Sequence, residues 1–387
     1  MEIDVKLIFV TSHPMSVVAF MLPHLKELKL SWSLQVLANT REMDLLYKRG
    51  LDVPVEFAPI ERQISPMVDV KALWCLFKKF RLERPFAVHT ITPKAGLLGM
   101  CAAWLAGVPV RVHSFTGQVW VTRQGLMRWV LKAADKCIAA FATDVLVDSP
   151  SQRRFLIQEG VITAHGSVVL CEGSICGVDM QRFFPSSMVR RQIRDDVGSP
   201  NDALVCLYLG RLNRDKGLLV LAGAFAKLAD KHPKAELWVV GPDEDDIFDQ
   251  MQTIISTCSQ QVRRVGYTNE PELFMQAADL FCLPSYREGF GSSVIEAAAC
   301  GVPALVSRIY GLTDAVVEGK TGWMHEAGNV EDLAAQLDAL LQSPTEMQRR
   351  GEAARLNVQF VFEQSLITKA MLAFYKARLE TIGAKDA

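Results

Sequence analysis

Short apolar runs alternate along the chain with longer segments in which apolar residues recur every three or four positions. Runs such as Val5–Val10 and Leu204–Leu209 are brief and aliphatic, which predicts buried strands. Segments such as Ile64–Glu83 and Gln124–Phe141 carry the helical spacing instead. Because strand and helix alternate almost throughout, the pattern predicts parallel βαβ units and an α/β fold class.

The alternation is interrupted between residues 173 and 200 by a stretch rich in glycine, serine and charged residues. At 387 residues the chain is longer than one ordinary domain and suits two. We place the boundary near Pro185, which predicts one domain over residues 1–185 and a second over residues 186–362. A last long helix, 363–382, completes the chain.

The segment Asp279–Pro303 predicts a strand, a glycine-rich loop and a helix in succession. This arrangement binds phosphate through backbone N–H groups and the helix dipole. Glu288 lies in the loop and Glu296 in the helix, where carboxylates can accept hydrogen bonds from sugar hydroxyls. Two simpler interpretations stay open, because Ser293 and Glu296 also fit a capping box and Glu288 could be a solvated loop charge.

Other polar residues follow predicted strands of the second half. Arg211 and Lys216 are a candidate clamp for two phosphates, since cations near a helix N-terminus oppose the helix dipole unless an anion is bound. Gly241 and the pair Gly266–Tyr267 follow the next two strands. The chain has neither a GxGxxG nor a Walker lysine motif, which disfavours nicotinamide and P-loop chemistry.

In the first half, His89 and His113 each end a predicted strand, and His13 and Lys94 lie in the loops after two others. A single histidine at a strand end is most often a hydrogen-bonded structural residue. His113 is favoured as a functional residue because a polar, glycine-containing stretch follows it. Neither metal-ligand spacing nor a Ser-His-Asp order is present, so we expect no metal site.

Charge is unevenly distributed, although the net charge is −1. Residues 71–136 carry 11 basic residues against Glu83 and Asp135, and they include four of the seven tryptophans: Trp74, Trp104, Trp120 and Trp129. A basic surface with tryptophans suits an anionic membrane. Nucleic acid is the competing partner and is disfavoured because no nucleic-acid motif is present. The simpler alternative is that the tryptophans are core and the charges are solvated.

Cysteines and the N-terminus bear on the compartment. The nine cysteines are scattered, most of them in apolar runs, which predicts buried free thiols and a reducing compartment. The apolar stretch Leu7–Leu22 is preceded by Glu2 and Asp4 and interrupted by His13–Pro14. We therefore expect a strand, a turn and a helix there rather than a signal sequence.

The run Arg287–Gly291 followed by Glu296, with its two glutamates eight positions apart, closely resembles the signature of the family-4 retaining glycosyltransferases. The first half resembles members that build bacterial lipid-linked oligosaccharides, O-antigens and capsules. Further segments match the family as well: Gly177–Pro185, Gly210–Gly217, Gly301–Pro303 and Gly319–Gly322, and in the first half Thr92–Gly96 and Arg111–His113.

The resemblance implies a GT-B fold, in which two Rossmann-like domains face each other across a cleft and the last helix crosses back to the N-terminal domain. The first domain would bind the acceptor and the second the nucleotide sugar. The family carries out transfer without a metal, because cations and a helix dipole replace it. One departure is the loop Ser12–Ser16, where many relatives carry paired glycines.

Site roles follow from the same resemblance. Glu296 would bind the nucleotide ribose, Glu288 the donor sugar, and Arg211 with Lys216 the diphosphate. His113 would contact the donor sugar near the reacting centre. Further donor contacts are expected from Gly241, Gly266, Tyr267, Gly289, Phe290, Gly291, Ser292 and Ser293, and acceptor contacts from His13 and Lys94.

We therefore expect a transferase that moves a sugar from a nucleoside diphosphate, with UDP favoured, to a polyprenyl-diphosphate-linked saccharide. Its expected location is cytoplasmic, peripheral on the inner face of the cytoplasmic membrane. Two alternatives are a sugar-nucleotide epimerase on the same fold and a nucleotide-sugar-binding scaffold without activity. Turnover separates the three, because an epimerase needs no acceptor and a scaffold releases no nucleotide.

Overall fold

The computed structural model describes residues 5–61 and 63–383. Glu2 and Asp4, on which the prediction against a signal sequence partly depends, lie outside this part. The chain divides into two compact units. Unit 1 comprises the chain up to Cys176 together with the segment from Gln364 onward, and unit 2 comprises Gly177–Glu363.

Unit 1 is built on a seven-stranded parallel sheet in the order β3-β2-β1-β4-β5-β6-β7. The apolar runs form these strands because helices cover both faces of the sheet and bury alternate side chains on opposite sides. The strands are β1 Lys6–Thr11, β2 Ser33–Ala38, β3 Val55–Phe57, β4 Ala87–Ile91, β5 Val110–Phe115, β6 Asp144–Val147 and β7 Ser167–Val168.

Two helical layers cover the unit 1 sheet. One face packs against the third to sixth helices, and the other against the first two helices and the last. The alternation is visible in β1, where Ile8 belongs to the first layer's core and Phe9 to the second's. The helices are α1 Pro14–Phe20, α2 Leu22–Leu28, α3 Pro66–Glu83, α4 Pro93–Ala106, α5 Gly125–Phe141, α6 Pro150–Gln158 and, at the chain's end, α15 Gln364–Gly383.

Unit 2 repeats the architecture with a six-stranded parallel sheet in the order β10-β9-β8-β11-β12-β13. Its strands are β8 Leu204–Leu209, β9 Ala235–Val240, β10 Val262–Val265, β11 Leu280–Leu283, β12 Ala304–Ser307 and β13 Gly322–His325. Its helices are α7 Ser187–Val197, α8 Leu218–Ala226, α9 Ile247–Ile254, α10 Pro271–Ala277, α11 Ser292–Ala299, α12 Leu312–Ala315, α13 Val330–Leu341 and α14 Pro344–Val361.

The strand orders define one switch point in each sheet, between β1 and β4 in unit 1 and between β8 and β11 in unit 2. At a switch point the loops that follow the two adjacent strands run in opposite directions, and they leave a crevice beyond the carboxyl ends of those strands. Ligands of open α/β sheets bind in such crevices. The two crevices are therefore candidate positions for a functional site.

The predicted α/β class with two Rossmann-like domains is confirmed, and α15 packs in unit 1 as the crossing-back helix. The division of the chain lies at Cys176–Gly177, earlier than the predicted boundary at Pro185. The reason is local, because Val178 N donates to Phe362 O (2.8 Å) and joins the segment after residue 176 to unit 2. In unit 1, His24 Nδ1 pairs with Thr368 Oγ1 of α15 (3.0 Å).

Helix α6 is capped by Ser149, whose hydroxyl accepts from Gln152 N. The prediction that the cysteines are buried holds only in part. All nine cysteines are free. The four in unit 2 are buried as predicted, but Cys75 and Cys137 lie on solvent-facing sides of helices and Cys171 in an exposed loop. Within the described residues, none of the helices is both long enough and apolar enough to cross a bilayer.

Candidate functional site

The switch point of unit 2 is bridged by a salt bridge between Lys216 and Glu288. Lys216 ends a 3₁₀ turn after β8, and Glu288 lies in the loop after β11. The Lys216 Nζ to Glu288 Oε1 distance is 2.5 Å, and Ser285 Oγ donates to the same oxygen at 2.8 Å. Both side chains are largely shielded from solvent. The sequence prediction that these two residues share one site agrees with this geometry.

A second bridge joins the same two loops and was not predicted. Arg287 pairs with Asp215 at 2.8 Å, and Tyr286 N donates to Asp215 O at 2.8 Å. The loops also approach closely at Gly217, which has φ 67°. A Cβ atom there would lie 2.0 Å from Pro284 O, so only glycine fits. The sequence pattern that could have predicted this second bridge is the acid-base pair Asp215-Lys216 in one loop and the base-acid pair Arg287-Glu288 in the other.

Arg211, the other predicted phosphate ligand, also has a carboxylate partner. Its Nη1 lies 2.9 and 3.1 Å from the two carboxylate oxygens of Glu244, and Asn213 Nδ2 donates to Glu244 at 3.1 Å. Glu244 belongs to the acidic loop after β9. Each of the two cations is therefore paired with a carboxylate.

The loops after β8, β9 and β10 are held together by backbone contacts. Gly241 N donates to Gly266 O at 3.0 Å, and Gly210 N donates to Val240 O at 3.0 Å. Gly241 has φ 133°, and a Cβ atom on it would lie 1.9 Å from Gly210 O. Tyr267 extends from this edge with 63% of its surface exposed. An exposed aromatic ring beside a glycine edge offers a stacking surface for a planar ligand.

Helix α11 places its N-terminus at the same edge, with Gly291 as the N-cap and Ser292 as its first residue. The first backbone N–H groups of a helix have no intrahelical acceptor, so those of Ser292 and Ser293 are suited to an anion. The capping-box interpretation is wrong, since no side chain caps this helix. The helix starts before Ser293, which leaves the hydroxyl of that residue within the first turn rather than ahead of it.

Glu296 lies one turn into α11 with a half-buried side chain. Burial raises the pKa of its carboxyl group to about 7, an effect opposed by the positive charge of Arg182 and reinforced by Glu272. Arg182 itself pairs with Glu272 at 2.6 Å. Since the capping box does not form, the Glu296 carboxylate is not engaged by the end of its own helix.

Phe290 and Gly289 complete the predicted donor loop. The Phe290 side chain is 2% exposed and meets Phe362 edge to face, with ring centroids 5.1 Å apart. It is therefore part of the unit 2 core, and only its backbone remains for a ligand. The carbonyl oxygen of Gly289 lies against Gly311, where a Cβ atom would be 2.5 Å away.

In unit 1, His113 is buried, with an exposed fraction of 1%. Its Nδ1 pairs with Thr90 Oγ1 at 2.8 Å, and its ring lies under α4, where a Cβ on Gly96 would approach Cε1 to 2.5 Å. Burial lowers the pKa of His113 to about 3, so the imidazole is neutral at physiological pH. His89 pairs with Tyr375 OH and Ser114 Oγ, both at 2.7 Å, as a structural histidine does.

His13 and Lys94 lie at the switch point of unit 1. His13 is the N-cap of α1 and accepts from Met15 N through Nδ1 (3.2 Å). Lys94 Nζ pairs with Asp69 of α3 at 2.6 Å. The two loops meet where Ser12 Oγ and Thr92 Oγ1 are 2.9 Å apart, and Thr92 has φ 79°, a strained value for a β-branched residue.

No group of three or more His, Cys, Asp or Glu residues positioned to hold a metal ion occurs in the part of the chain that the structure describes. The cationic side chains at the unit 2 edge are Arg211 and Lys216, each paired with a carboxylate, and they lie at the same edge as the N-terminus of α11. That the reaction proceeds without a metal stays a prediction.

Two family models match the chain, one in each unit. Residues 13–171 match the glycosyl transferase 4-like domain, and residues 189–357 match glycosyl transferases group 1. The capsular polysaccharide biosynthesis glycosyltransferase CapM of Staphylococcus aureus is 28% identical over 324 residues, covering 83% of this chain and 84% of that protein. A galactosyltransferase of Escherichia coli that uses UDP-Gal and α-D-GlcNAc-diphosphoundecaprenol is 28% identical over 276 residues, covering 70% of each chain.

Solved structures with the same fold span both units. Anabaena Alr3699/HepE, in complex with UDP and glucose, has a TM-score of 0.82 at 18% identity and covers 96% of this chain and 100% of its own. Sucrose-phosphate synthase from Thermosynechococcus elongatus has a TM-score of 0.80 at 20% identity, covering 97% and 100%. The fold and the matches define the class: the chain is a glycosyltransferase with the GT-B fold. More particularly, it joins a glycosyl transferase 4-like domain to a glycosyl transferases group 1 domain.

Proposed function

We propose that this chain is a retaining glycosyltransferase that moves a sugar from a UDP-type donor to a polyprenyl-diphosphate-linked saccharide in cell-surface polysaccharide synthesis. The observation that carries the proposal is the convergence of Lys216, Glu288 and Arg211 with the N-terminus of α11 at the switch point of unit 2. A nucleoside diphosphate has the charge that these cations and backbone N–H groups are suited to bind.

The chemistry requires stabilisation of the diphosphate as it leaves the anomeric carbon. Negative charge builds on the phosphate oxygens in the transition state, and preorganised cations nearby lower the barrier without reorganising. Arg211 and Lys216 exchange their carboxylate partners for phosphate when the donor binds. Glu288, released from Lys216, then accepts hydrogen bonds from the sugar hydroxyls.

Glu296 is assigned to the ribose. Its carboxylate is not used to cap α11 and can accept hydrogen bonds from both ribose hydroxyls. Tyr267 and Gly266 are assigned to the base, because the exposed ring offers a stacking face at the same edge. Retention of anomeric configuration is carried over from the family resemblance.

His113 is assigned to the donor sugar as a neutral hydrogen-bonding group. Its Nδ1 is occupied by Thr90, which leaves Nε2 for a sugar hydroxyl. A neutral imidazole fits such a contact, since the low pKa of the buried ring excludes a cationic role near pH 7. His13 and Lys94 are kept as acceptor contacts because their loops flank the unit 1 switch point.

The donor and acceptor classes draw support from relatives. The Escherichia coli relative uses UDP-Gal and a diphosphoundecaprenol-linked sugar, and the Anabaena structure contains UDP and glucose. The Staphylococcus aureus relative acts in capsule synthesis. Lipid-linked acceptors are membrane-embedded, so the enzyme needs a surface that reaches the bilayer.

We assign that surface to the outer faces of α3, α4 and α5 and call it the basic apolar face. It combines exposed lysines with large apolar side chains, a composition typical of interfacial membrane binding. Trp129 is 68% and Trp74 is 55% exposed, and Lys78 Nζ lies 5.1 Å above the Trp74 ring. Its members are Met67, Val70, Lys71, Trp74, Lys78, Trp104, Leu105, Leu126, Met127, Trp129, Val130 and Lys136.

One tryptophan of the block 71–136 does not belong to this face. Trp120 is 1% exposed and donates through Nε1 to Asp135 Oδ2 at 2.7 Å. Arg128 and Lys132 lie over its ring and also bind Glu159, so their charges are used within the protein. Trp120 is therefore a core residue, as the simpler alternative proposed, whereas the charges of Arg128 and Lys132 are paired rather than solvated. We propose a peripheral position on the inner face of the cytoplasmic membrane because of the exposed residues of the basic apolar face.

The proposal is tested with a panel of UDP-sugars and GlcNAc-diphosphate on a short synthetic lipid. We expect one donor to release UDP only when the lipid acceptor is present, and the lipid to gain one sugar by mass. An epimerase would convert the donor without acceptor. A scaffold would bind UDP and release none, and either result would overturn the proposal.

A further inference from the structure

The carboxyl group of Asp148 is left unused by the proposed function. Asp148 directly follows β6 and its side chain is 8% exposed. Its backbone is well bonded, because its N–H donates to Gln152 Oε1 (3.0 Å) and its carbonyl accepts from Ser174 N (2.7 Å). Its carboxyl oxygens have no hydrogen-bond or ion-pair partner among residues 5–61 and 63–383. The side chain is mostly but not wholly enclosed, so a ligand or a water that reaches it through the remaining opening can supply the missing hydrogen bonds.

A small cavity adjoins this carboxyl group. Asp148, Ser114 and Ser174 supply its polar wall, and Met371 of α15 closes it on the helical side. The cavity volume is about 10 Å³, which is the space of one water-sized group. A cavity of this size and polarity suits a single hydroxyl group rather than a whole sugar ring.

The cavity occupies a position where ligands of α/β sheets bind. It lies at the carboxyl ends of β5 and β6, which are adjacent strands with Ser114 paired to Leu146. Ser114 Oγ also pairs with His89 Nε2 at 2.7 Å, and His89 Nδ1 pairs with Tyr375 OH at 2.7 Å. A buried chain of polar groups thus ends at Ser114, which lines the same cavity as Asp148.

The loop that forms one wall is strained. Cys171 has φ 50° and Ser174 has φ 70°, values that side-chain-bearing residues rarely adopt. Backbone strain of this kind persists where the surrounding structure enforces it and is concentrated at ligand sites. The strain is an observation independent of the unpartnered carboxyl group.

We infer that this cavity is a binding site for one neutral hydroxyl group, held between Asp148 and Ser114 and supplied either by the saccharide acceptor or by water. The inference rests on the proposed function only for the saccharide source. A protonated carboxyl group donates one hydrogen bond and accepts another, which matches a hydroxyl. Burial raises the pKa of Asp148 to about 8, in keeping with a neutral rather than a cationic ligand.

Two variants separate the possible sources. Asp148→Asn keeps the shape and one donor with one acceptor, whereas Asp148→Leu keeps the volume and removes both. With GlcNAc-diphosphate on a short lipid, a saccharide source predicts that Asp148→Leu raises the acceptor KM at least tenfold. The Asn variant should stay within about threefold of wild type. UDP affinity should be unchanged in both, which separates this effect from damage to the donor site.

A crystal structure at high resolution tests the water source without any turnover. We expect wild-type crystals to show an ordered oxygen within hydrogen-bond distance of both Asp148 and Ser114, and Asp148→Leu crystals to lack it. The electron density can be examined even if no UDP-sugar is turned over, so failure of the proposed function can be distinguished from failure of this inference. An empty wild-type cavity together with an unchanged acceptor KM in Asp148→Leu would overturn the inference.

Discussion

The Nζ atom of Lys216 lies 2.5 Å from Oε1 of Glu288, so two charges that follow different strands neutralise each other across the switch point of unit 2. In the proposed function, an anionic donor bound there would separate the pair. Lys216 is then free to bind phosphate, and Glu288 is free to bind sugar hydroxyls. This exchange of partners is the basis of the first prediction.

Lys216→Ala should lower kcat by about 10²–10³-fold, because it removes a preorganised cation from the leaving diphosphate. The measurement is UDP release under saturating donor and acceptor. Lys227→Ala is the matched control, since Lys227 pairs with Glu331 on the exposed surface of the same unit. A Lys216→Ala rate equal to that of the control would exclude Lys216 from the phosphate clamp.

Glu244→Gln should tighten UDP binding by about two- to fivefold. Glu244 competes with phosphate for Arg211, and an exposed ion pair of this kind contributes about 0–1 kcal/mol. Calorimetric titration of UDP at low salt measures the change. Glu318→Gln is the control, because Glu318 pairs with Arg308 in a similar exposed geometry. Weaker or unchanged binding would show that Glu244 does not compete for the phosphate site.

Donor affinity should depend on the protonation state of Glu296. Burial raises the pKa of Glu296 to about 7, so the carboxylate form, which we propose accepts hydrogen bonds from the ribose, is lost as pH falls through 7. We expect the ratio of UDP affinities, wild type over Glu296→Gln, to fall about tenfold between pH 8 and pH 6. Because the ionisation of UDP affects binding to both proteins equally, its effect cancels in this ratio. A constant ratio would argue against the ribose role.

Asp135 gives a stability prediction of defined sign. Burial raises the pKa of Asp135 to about 7, above its value in the unfolded chain. The stabilisation that Asp135 contributes to the folded protein is therefore fully present below about pH 4 and is lost as pH rises through 7. Asp135→Asn still accepts from Trp120. The unfolding free energy of wild type relative to this variant should therefore fall by on the order of 2 kcal/mol from pH 5 to pH 8 in urea titrations. A difference that is flat with pH would contradict this.

Membrane binding should depend on the basic apolar face. Combined Trp74→Ala and Trp129→Ala should reduce sedimentation with anionic liposomes several-fold, since both rings are more than half exposed. Phe360→Ala is the control, because Phe360 is 73% exposed on α14 of unit 2. Equal sedimentation of all three proteins would place the membrane contact elsewhere.

Much of the fold could be predicted because parallel strands buried on both faces leave short, continuous apolar runs in the sequence. β8 has the predicted bounds, Leu204–Leu209, and β1 spans Lys6–Thr11, one residue later than the predicted Val5–Val10. β3 and β13 leave weaker patterns, because β3 is only three residues long and the glycine-rich approach to β13 resembles a loop. The chain divides before the predicted boundary, and the pairing of Val178 with Phe362, which joins this segment to the rest of unit 2, leaves no pattern in the sequence.

Some residues of the candidate site could likewise be predicted from their spacing along the chain, whereas their partners and their burial could not. Glycines and charges at strand ends indicated Arg211, Lys216 and Glu288, because strand ends of a parallel sheet share one edge. The partner of Arg211, Glu244, and the unpartnered state of Asp148 depend on loop conformation and burial. Phe290 was assigned to the donor from its position in the motif, but its ring packs in the core.

The most direct test of the donor site is a calorimetric titration of UDP, in EDTA, into wild type and into the double variant Arg211→Ala/Lys216→Ala. We expect wild type to bind UDP without a metal and the double variant to bind at least about 100-fold more weakly, since two charge-assisted phosphate contacts are lost. Equal binding by the two proteins, or wild-type binding that requires a divalent metal, would contradict the account.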